Sequence, residues 1–552
     1  MQKYIIGIDT GGTFTDGVLM EAKSGKVVIT AKRPTTHFQL AIGAGETLAA
    51  LMGDSGIAPE QVEHVAVSST LATNSVVENR GARVAILVIG YVKHFKLPVK
   101  AVLFVKGGHT IMGEEEQPLD VEYLVELIQN LKNEVDAYGV CSAMSMKNPA
   151  HELVAEKAIS MIDPKPVFCS HRISDIAGMQ ERAATAGLHA KLMPVMEEFV
   201  TGIGSALAEH KLRCPMVVIG GNGVTIESAQ VVAEAGLTVA SGPACTAHFG
   251  ASHIQGDCLV VDVGGTTTDI SMIENGVPRL ADSGCQIGHW RTHVEAIDMH
   301  TGGVGGDSHV QVSENGEISL NSLRVTPISM TRHTEQVANW LGCDDQSKLI
   351  IRQQNTAIRR AATDELDALL DELLENSDRG SLATIKKKTG YTGITLDKKL
   401  EQLSRKQLVF ECGFTPTDAL HVLGFIDFGN REEAAQAAEI LGKAAGMKTK
   451  EFCQKVVAMT EEKIENLIID YVIQRFWGNS LAAFVSSRNA HPVLGVDFSI
   501  KIPIIGIGAA ARYFLPQVAK NLGTTVNFPD NCEVGNAIGA GLILQRGMDK
   551  TV

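Results

Sequence analysis

Asp9-Thr10-Gly11-Gly12-Thr13-Phe14-Thr15-Asp16 and Asp262-Val263-Gly264-Gly265-Thr266-Thr267-Thr268-Asp269 are residue types that, at this spacing, could handle phosphate. Glycines let backbone N–H groups come close to a phosphate, threonine hydroxyls add short donors, and a carboxylate can hold hydrated Mg²⁺. In the first copy Thr10, Gly11, Gly12, Thr13 and Thr15 would form the cradle and Asp9 would anchor the cation. In the second, Gly264, Gly265, Thr266 and Thr267 repeat the cradle and Asp262 supplies a second carboxylate. Mg²⁺ keeps several waters and needs one or two protein carboxylates, which suits one Asp from each copy. Asp16 and Asp269 either join them or tie down the turn by accepting from backbone N–H groups.

Both stretches need strands to hold them. Each follows an apolar run, Tyr4–Ile8 or Cys258–Val261, and leads into another, Gly17–Met20 or Ile270–Ile273. Each therefore reads as strand, Gly-Gly turn, strand. Two such hairpins far apart predict two related α/β halves around a nucleotide cleft. A third glycine turn, Ile504-Ile505-Gly506-Ile507-Gly508-Ala509-Ala510-Ala511, follows a late apolar strand, and a small-residue helix is expected over Val534–Leu544. The segment resembles the third glycine-rich turn that lies near the adenosine in the actin/hexokinase/heat-shock-chaperone superfamily, which makes Gly506, Gly508 and Asn536 the candidate adenosine contacts of 502–545.

The remaining elements are read from periodicity. Val84–Gly90, Ala101–Val105, Gly139–Ala143 and Pro166–Cys169 predict buried strands of an extra α/β unit at 80–180. Met196–Lys211 predicts a helix, and Met216–Ile219 a strand ending at Gly220-Gly221. Residues 335–410 predict a helical, charged insertion. Within it Asn355–Asn376 is amphipathic, and Leu382–Lys388, Leu396–Arg405 and Leu408–Phe410 follow a helix–helix–strand order like that of a winged helix. The Lys386-Lys387-Lys388 run is thin support for DNA binding, and a structural insertion is the preferred reading. Arg431–Phe476 predicts two long helices, and Gly495–Phe498 and Ile502–Ile505 predict strands.

Bulk properties narrow the function classes. At 552 residues the chain needs several cores. A net charge of −14 and 5% aromatics disfavour a nucleic-acid partner, which would want clustered cations and stacking platforms. No uncharged apolar run is long enough to span a membrane. The ten cysteines form no C-x-x-C pair and the start carries no signal-peptide pattern, so a cytoplasmic protein with reduced thiols is expected.

With these motifs in place the chain resembles the A (ATP-binding) subunit of the hydantoinase/oxoprolinase family, within the actin/hexokinase/heat-shock-chaperone superfamily. The resemblance rests on Ile6–Asp16, Ser69-Thr70-Leu71-Ala72-Thr73-Asn74-Ser75, Asn79–Arg83, Ser241-Gly242-Pro243-Ala244, Asp262–Asp269, Asp298–Gly306, Phe414-Thr415-Pro416-Thr417-Asp418-Ala419 and Asn536–Ala540. It implies an α/β fold of duplicated ribonuclease H-like halves, divided as 1–185 and 186–552. It also implies ATP and Mg²⁺ as cofactors, a cyclic amide or ketone substrate, and a B-type partner subunit. ATP-dependent amide hydrolysis is the leading expectation. A ketone carboxylase subunit, a reactivating ATPase and a small-molecule kinase are the alternatives. The motif around Asp298 adds His300 as an acid–base candidate and Gly302 and Gly303 as nucleotide contacts. The family often has Gly-Gly-Gly-Ser where this chain has Gly305-Gly306-Asp307-Ser308.

Three further groups remain to be read. His289, His293, His300, Asp307 and His309 could form a metal cluster, although no spacing matches a zinc pattern and ordinary polar histidines are preferred. Arg80 and Arg83 could contact substrate or partner, or close a salt bridge. Lys106-Gly107-Gly108-His109 reads as loop structure.

Overall fold

The computed structural model describes residues 2–12, 14–35, 40–77, 81–90, 93–173, 178–282, 284–287, 290–331, 337–342, 347–353, 364–374, 377–427, 429–487 and 496–549. Thr13, Asn79, Arg80 and His289 lie outside them. The chain divides into two compact units, Met1–Gln255 with Ile273–Met299 and Val534–Val552, and Gly256–Met272 with His300–Glu533.

The first unit is built on β1 (Tyr4–Thr10), β2 (Phe14–Glu21), β3 (Val27–Pro34), β4 (Val62–Ser69), β9 (Met216–Ile219) and β10 (Thr225–Glu227), in the order β10-β9-β4-β1-β2-β3. β2 is antiparallel to β1, whereas β4 is parallel to β1 and β9 parallel to β4. One face is covered by helices α1 (Leu40–Ser55) and α5 (Met179–Glu209), through Leu48, Leu51, Leu192, Met196 and Phe199. On β1 the backbones themselves meet. A Cβ at Gly7 would run into the Ala537 carbonyl, and one at Gly539 into the Cys245 carbonyl of α6 (Ser241–Ala251). The small-residue helix, Gly535–Asp549, therefore packs inside the first unit. α2 (Leu71–Val77) follows β4.

The extra α/β unit forms as expected. β5 (Val84–Ile89), β6 (Ala101–Val105), β7 (Ala137–Ser142) and β8 (Val167–Cys169) make a parallel sheet in the order β6-β5-β7-β8. Helices α3 (Val121–Leu131) and α4 (Ala150–Ile162) cover one face through Leu124, Ile128, Ala155 and Ile159. The first half of α5 covers the other through Ala183, Ala186 and Ala190. This is why α5 starts at Met179, well before the predicted Met196. Its first half is buried on all sides, its polar residues Arg182, Thr185, His189 and Lys191 included, so polarity does not mark an exposed face there.

In the second unit, β11 (Cys258–Val263) lies between β12 (Thr268–Glu274) and the strand Ile504–Ile507, which pairs onward with Val526–Asn527; Met299–Gly302 pairs with β12. The pairings from β11 to Ile504–Ile507 and on to Val526–Asn527 are parallel. From one edge the order is Val277–Pro278, β12, β11, Ile504–Ile507, Val526–Asn527, with Met299–Gly302 pairing β12 off that path. That matches β3, β2, β1, β4, β9 of the first unit, place for place, so the duplication extends from the motif to the sheet. Residues 496–498 form no strand, and Gly495 lies outside the described residues.

The insertion contains the predicted helices Leu382–Thr389 and Gly393–Arg405 and the strand Val409–Gly413. Ser381 and Thr392 cap the helices by accepting from Thr384 N–H and Thr395 N–H, and Gly390 (φ +66°) ends the first. Lys386–Lys388 lie in the last turn of that helix, where cations complement its dipole. Asp364–Leu374 is the described part of the amphipathic stretch. The two long helices are Arg431–Ala444 and Thr449–Trp477. No helix among the described residues is long and apolar enough to cross a membrane.

Candidate functional site

The two turns close in the same way. Gly11 N–H donates to Phe14 O at 3.0 Å, and Gly264 N–H donates to Thr267 O at 2.9 Å. Gly11 matches Gly264 and Phe14 matches Thr267 in the alignment of the motifs, so the closing hydrogen bond joins equivalent backbone atoms in the two turns.

In the first turn Asp9 is 3% exposed and both its oxygens are held. Ser68 Oγ donates to Oδ1 at 2.6 Å and Asn536 Nδ2 to Oδ2 at 3.3 Å. Asn536 Oδ1 accepts in turn from Thr246 Oγ1 of α6. Asn536 and Gly242 stand second in their helices, and a Cβ at Gly242 would lie 3.7 Å from Asp9 Oδ1. Two helix N-termini thus converge on this carboxylate, where their dipoles favour negative charge. Burial raises the Asp9 pKa against these donors and Lys32. Asn536, expected as an adenosine contact, is here a support for Asp9.

The Thr10 carbonyl accepts from Thr70 N–H at 3.1 Å, and its hydroxyl is buried without a partner. Gly12 faces the Asn74 amide, its Cβ position 3.7 Å from Nδ2. Thr15 points inward instead of toward a ligand, 0% exposed with its hydroxyl 3.1 Å from that of Thr35. Asp16 pairs with Lys32 Nζ at 2.9 Å, which resolves its role toward bracing the hairpin through a side chain.

In the second turn a loop stacks on the glycines. Gly306 N–H donates to Gly264 O at 3.1 Å and Asp307 N–H to Gly265 O at 2.7 Å. Thr268 Oγ1 donates to Val304 O at 2.8 Å. A Cβ at Gly305 would sit 2.5 Å from Gly264 O, so only glycine allows this approach. From the other side Thr417 N–H and Oγ1 donate to Gly306 O at 2.9 and 2.8 Å. Asp418 is fully buried and accepts from Ile328, Ser329 and Thr415 N–H and from the Thr415 hydroxyl, fixing this helix start. Asp269 is pushed up to about 6 by burial, with the Thr301 and Thr267 side chains opposing. Thr266 is half-buried.

The glycines expected to touch nucleotide divide. The spaces beside Gly302 and Gly303 are filled by Leu467 and Ser322, and Gly305 and Gly306 meet the turn in their stead. Gly506 faces Phe528 within its sheet, so it packs the unit's interior. Gly508 (φ +89°) ends its strand beside the second turn, its Cβ position 2.7 Å from Asp262 Oδ1. Half-buried His300 lies beside the long helix, its ring 6.3 Å from that of Tyr471. Burial lowers its pKa while Asp470 raises it.

The competing readings resolve toward structure. His309 is fully buried, and among the described residues His293, His300, Asp307 and His309 form no metal-type grouping. The grouping that does appear is Glu152, Cys169 and His171. Its Glu152 already accepts from Ser142 N–H, Ser170 Oγ, His171 N–H and His171 Nδ1, two donors on each oxygen. A cation would find no free lone pair there. Arg83 closes a 2.8 Å salt bridge with Asp136, whose carboxyl it pulls down to about 2. Within 106–109, Gly108 N–H donates to His151 Nδ1 at 2.9 Å and anchors a loop.

The residues present fit a nucleotide with Mg²⁺. The buried Thr10 hydroxyl and Asp269 Oδ1 lack partners, which a phosphate oxygen and a cation would supply. Ser68, Asn74, Gly242 and Gly305 were not singled out by sequence reasoning. All but Ser68 lie in motifs quoted for the family resemblance, which was the signal available for them.

Residues 5–162 match the hydantoinase/oxoprolinase N-terminal region and 182–542 match hydantoinase/oxoprolinase. Caprolactamase subunit alpha of Pseudomonas jessenii is 24% identical over 359 residues, 58% of this chain and 50% of that protein. Acetophenone carboxylase gamma subunit of Aromatoleum aromaticum is 26% identical over 355 residues, 56% of this chain and 48% of that protein. The chain thus spans about half the length of these curated relatives. Among solved structures, nucleotide-free acetone carboxylase aligns with TM-score 0.66 at 16% identity, over 98% of this chain and 70% of that one. The ATP-dependent caprolactamase of P. jessenii aligns with TM-score 0.64 at 18% identity, over 97% and 70%. These likenesses carry the fold, the duplicated actin-like α/β type. With the two family matches covering most of its length, the chain belongs to the hydantoinase/oxoprolinase family.

Proposed function

We propose that this chain is the ATP-binding part of an ATP-dependent amidohydrolase acting on a cyclic amide of the hydantoin, oxoproline or lactam type. The observation that carries this is the recurrence of one hydrogen-bonded Gly-Gly turn in two sheets of the same strand order. Caprolactamase and the 5-oxoprolinase 1 of Arabidopsis thaliana, 22% identical over 380 residues, support the amide reading. The acetone and acetophenone carboxylases support a second reading, a ketone carboxylase subunit.

An amide carbonyl is a poor electrophile, and ATP would supply the phosphoryl group that turns its oxygen into a leaving group. Phosphoryl transfer asks a protein mainly for positioning and charge compensation. Gly11, Gly12, Gly264 and Gly265 would offer backbone donors to the phosphates, with Thr10, Thr13, Thr266 and Thr267 beside them. Asp9 and Asp262 would hold hydrated Mg²⁺, and Gly508 keeps the approach to Asp262 open. His300 would serve as an acid–base group, because burial keeps its ring neutral and able to accept a proton.

The relatives' names as alpha and gamma subunits support a B-type partner for the second half-reaction. The nine described cysteines are all unpaired, in keeping with a reducing cytoplasm. The test is ATP hydrolysis by the purified chain across a panel of lactams, hydantoins and ketones. Stimulation by a cyclic amide supports the first reading and stimulation by a ketone the second. Nucleotide-independent turnover of any of them would overturn both.

A further inference from the structure

The two turns are equivalent in backbone but opposite in what faces them. Gly12 and Gly265 occupy the same place in the two motifs. Against Gly12 lies the side-chain amide of Asn74, a hydrogen-bond donor. Against Gly265 lies the carboxylate of Asp307, which would overlap a Cβ at that position. The carboxylate is positioned by its own backbone, since Asp307 N–H donates to Gly265 O at 2.7 Å. Gly305 packs on the same turn, where a Cβ would run into the Gly264 and Gly265 carbonyls. Asp307 is also where this chain departs from the glycine run of the family pattern.

A bare carboxylate beside a phosphate-binding turn repels the anion it is meant to receive. At Asp307 the counter-charge among the described residues is Arg324, whose Nε lies 3.4 Å from Oδ2. That pair is loose for a charge-assisted bond, which closes to about 2.7–2.9 Å. The Arg324 side chain is 34% exposed and that of Asp307 17%, so neither is locked away from a ligand. Asp262 and Asp269 add further negative charge to the same hairpin. A divalent cation arriving with the nucleotide would reverse the sign of the interaction, because carboxylate and phosphate can then share it.

We propose that Asp307 makes nucleotide binding at the second turn conditional on a divalent cation, rejecting the metal-free polyphosphate and drawing in the metal complex. The inference rests on the reading that this turn binds nucleotide phosphate. It gives the two turns different tasks. The first, faced by an amide, accepts phosphate directly, and the second accepts it through the metal.

The test is calorimetric titration of the full chain with ATP, once in EDTA and once in excess Mg²⁺, giving the ratio of the two Kd values. The wild type is expected to bind at least tenfold tighter with Mg²⁺. Asp307→Asn should cut that ratio at least fivefold, mainly by tightening binding in EDTA. Arg324→Gln should raise the ratio, since the carboxylate loses its counter-charge. If Asp307→Asn does not fold, Asp307→Gly serves in its place, because the loop is pinned by backbone bonds that glycine keeps. An unchanged ratio in the Asp307 variant, with Mg-ATP still bound, overturns this proposal and leaves the ATP reading standing. Absence of nucleotide binding to the wild type in both buffers overturns the ATP reading and the proposal with it.

Discussion

Asp9 is a charge held where charge is costly, 3% exposed between two helix N-termini and the donors of Ser68 and Asn536. Such an arrangement suits a group whose compensation is completed by a bound cation. Asp9→Asn should lower Mg²⁺-dependent ATP turnover by at least about 100-fold while keeping the fold, since the amide preserves shape and removes a buried charge. Thermal melts beside the rate assay check both halves, and full activity in this variant would contradict the role. His300→Gln should depress turnover and spare Mg-ATP binding, which separate binding and rate measurements distinguish. His309 gives the pH dependence. Its pKa falls from 6.5 to about 3 on folding, burial being the main cause and Lys348 adding to it. Between those values the unfolded chain binds a proton that the native state does not, so this residue's contribution is intact above about 6.5 and is lost as pH falls. Relative to His309→Leu, the wild type should lose about 2 kcal/mol between pH 7.5 and 5.0. Equal losses by denaturant melts would contradict this.

At the scale of elements, close backbone approach does the positioning. Gly7 meets Ala537 O and Gly539 meets Cys245 O, which brings the helix bearing Asn536 onto the strand bearing Asp9. Gly539→Leu should therefore cost about 3 kcal/mol or more, since overpacking a tight contact forces the backbone apart. Gly53 in α1 has nothing within 4 Å of its Cβ position, so Gly53→Ala should gain up to about 1 kcal/mol. Denaturant unfolding of both variants checks the contrast. The same packing explains what the sequence revealed. The hairpins were legible because Asp, Gly, Gly and Thr recur in order beside apolar strands. The first half of α5 was not, because a helix buried on every side shows no amphipathic period. Thr15 was assigned to the cradle by type, but strand alternation turns it to the core beside Thr35. Gly302 and Gly303 were favoured over Gly305 and Gly306 because a glycine run does not say which member meets the turn. Ser68 carries no motif of its own, and its place on Asp9 follows from the β1–β4 register, which pairs the two residues.

For the whole molecule, the repeated sheet order gives two units that each bear one phosphate-type turn. Both turns are proposed to bind nucleotide phosphate. With a B-type partner carrying the second half-reaction, the purified chain should hydrolyse ATP weakly and without coupling to substrate. Stoichiometric coupling by the purified chain alone would contradict the need for a partner. The most direct measurement is the binding stoichiometry of Mg-ATP, taken by calorimetry on the wild type, Asp9→Ala and Asp262→Ala. One nucleotide per wild-type chain, with binding lost in either variant, is the predicted result. Two nucleotides per chain, or full binding in both variants, would contradict it.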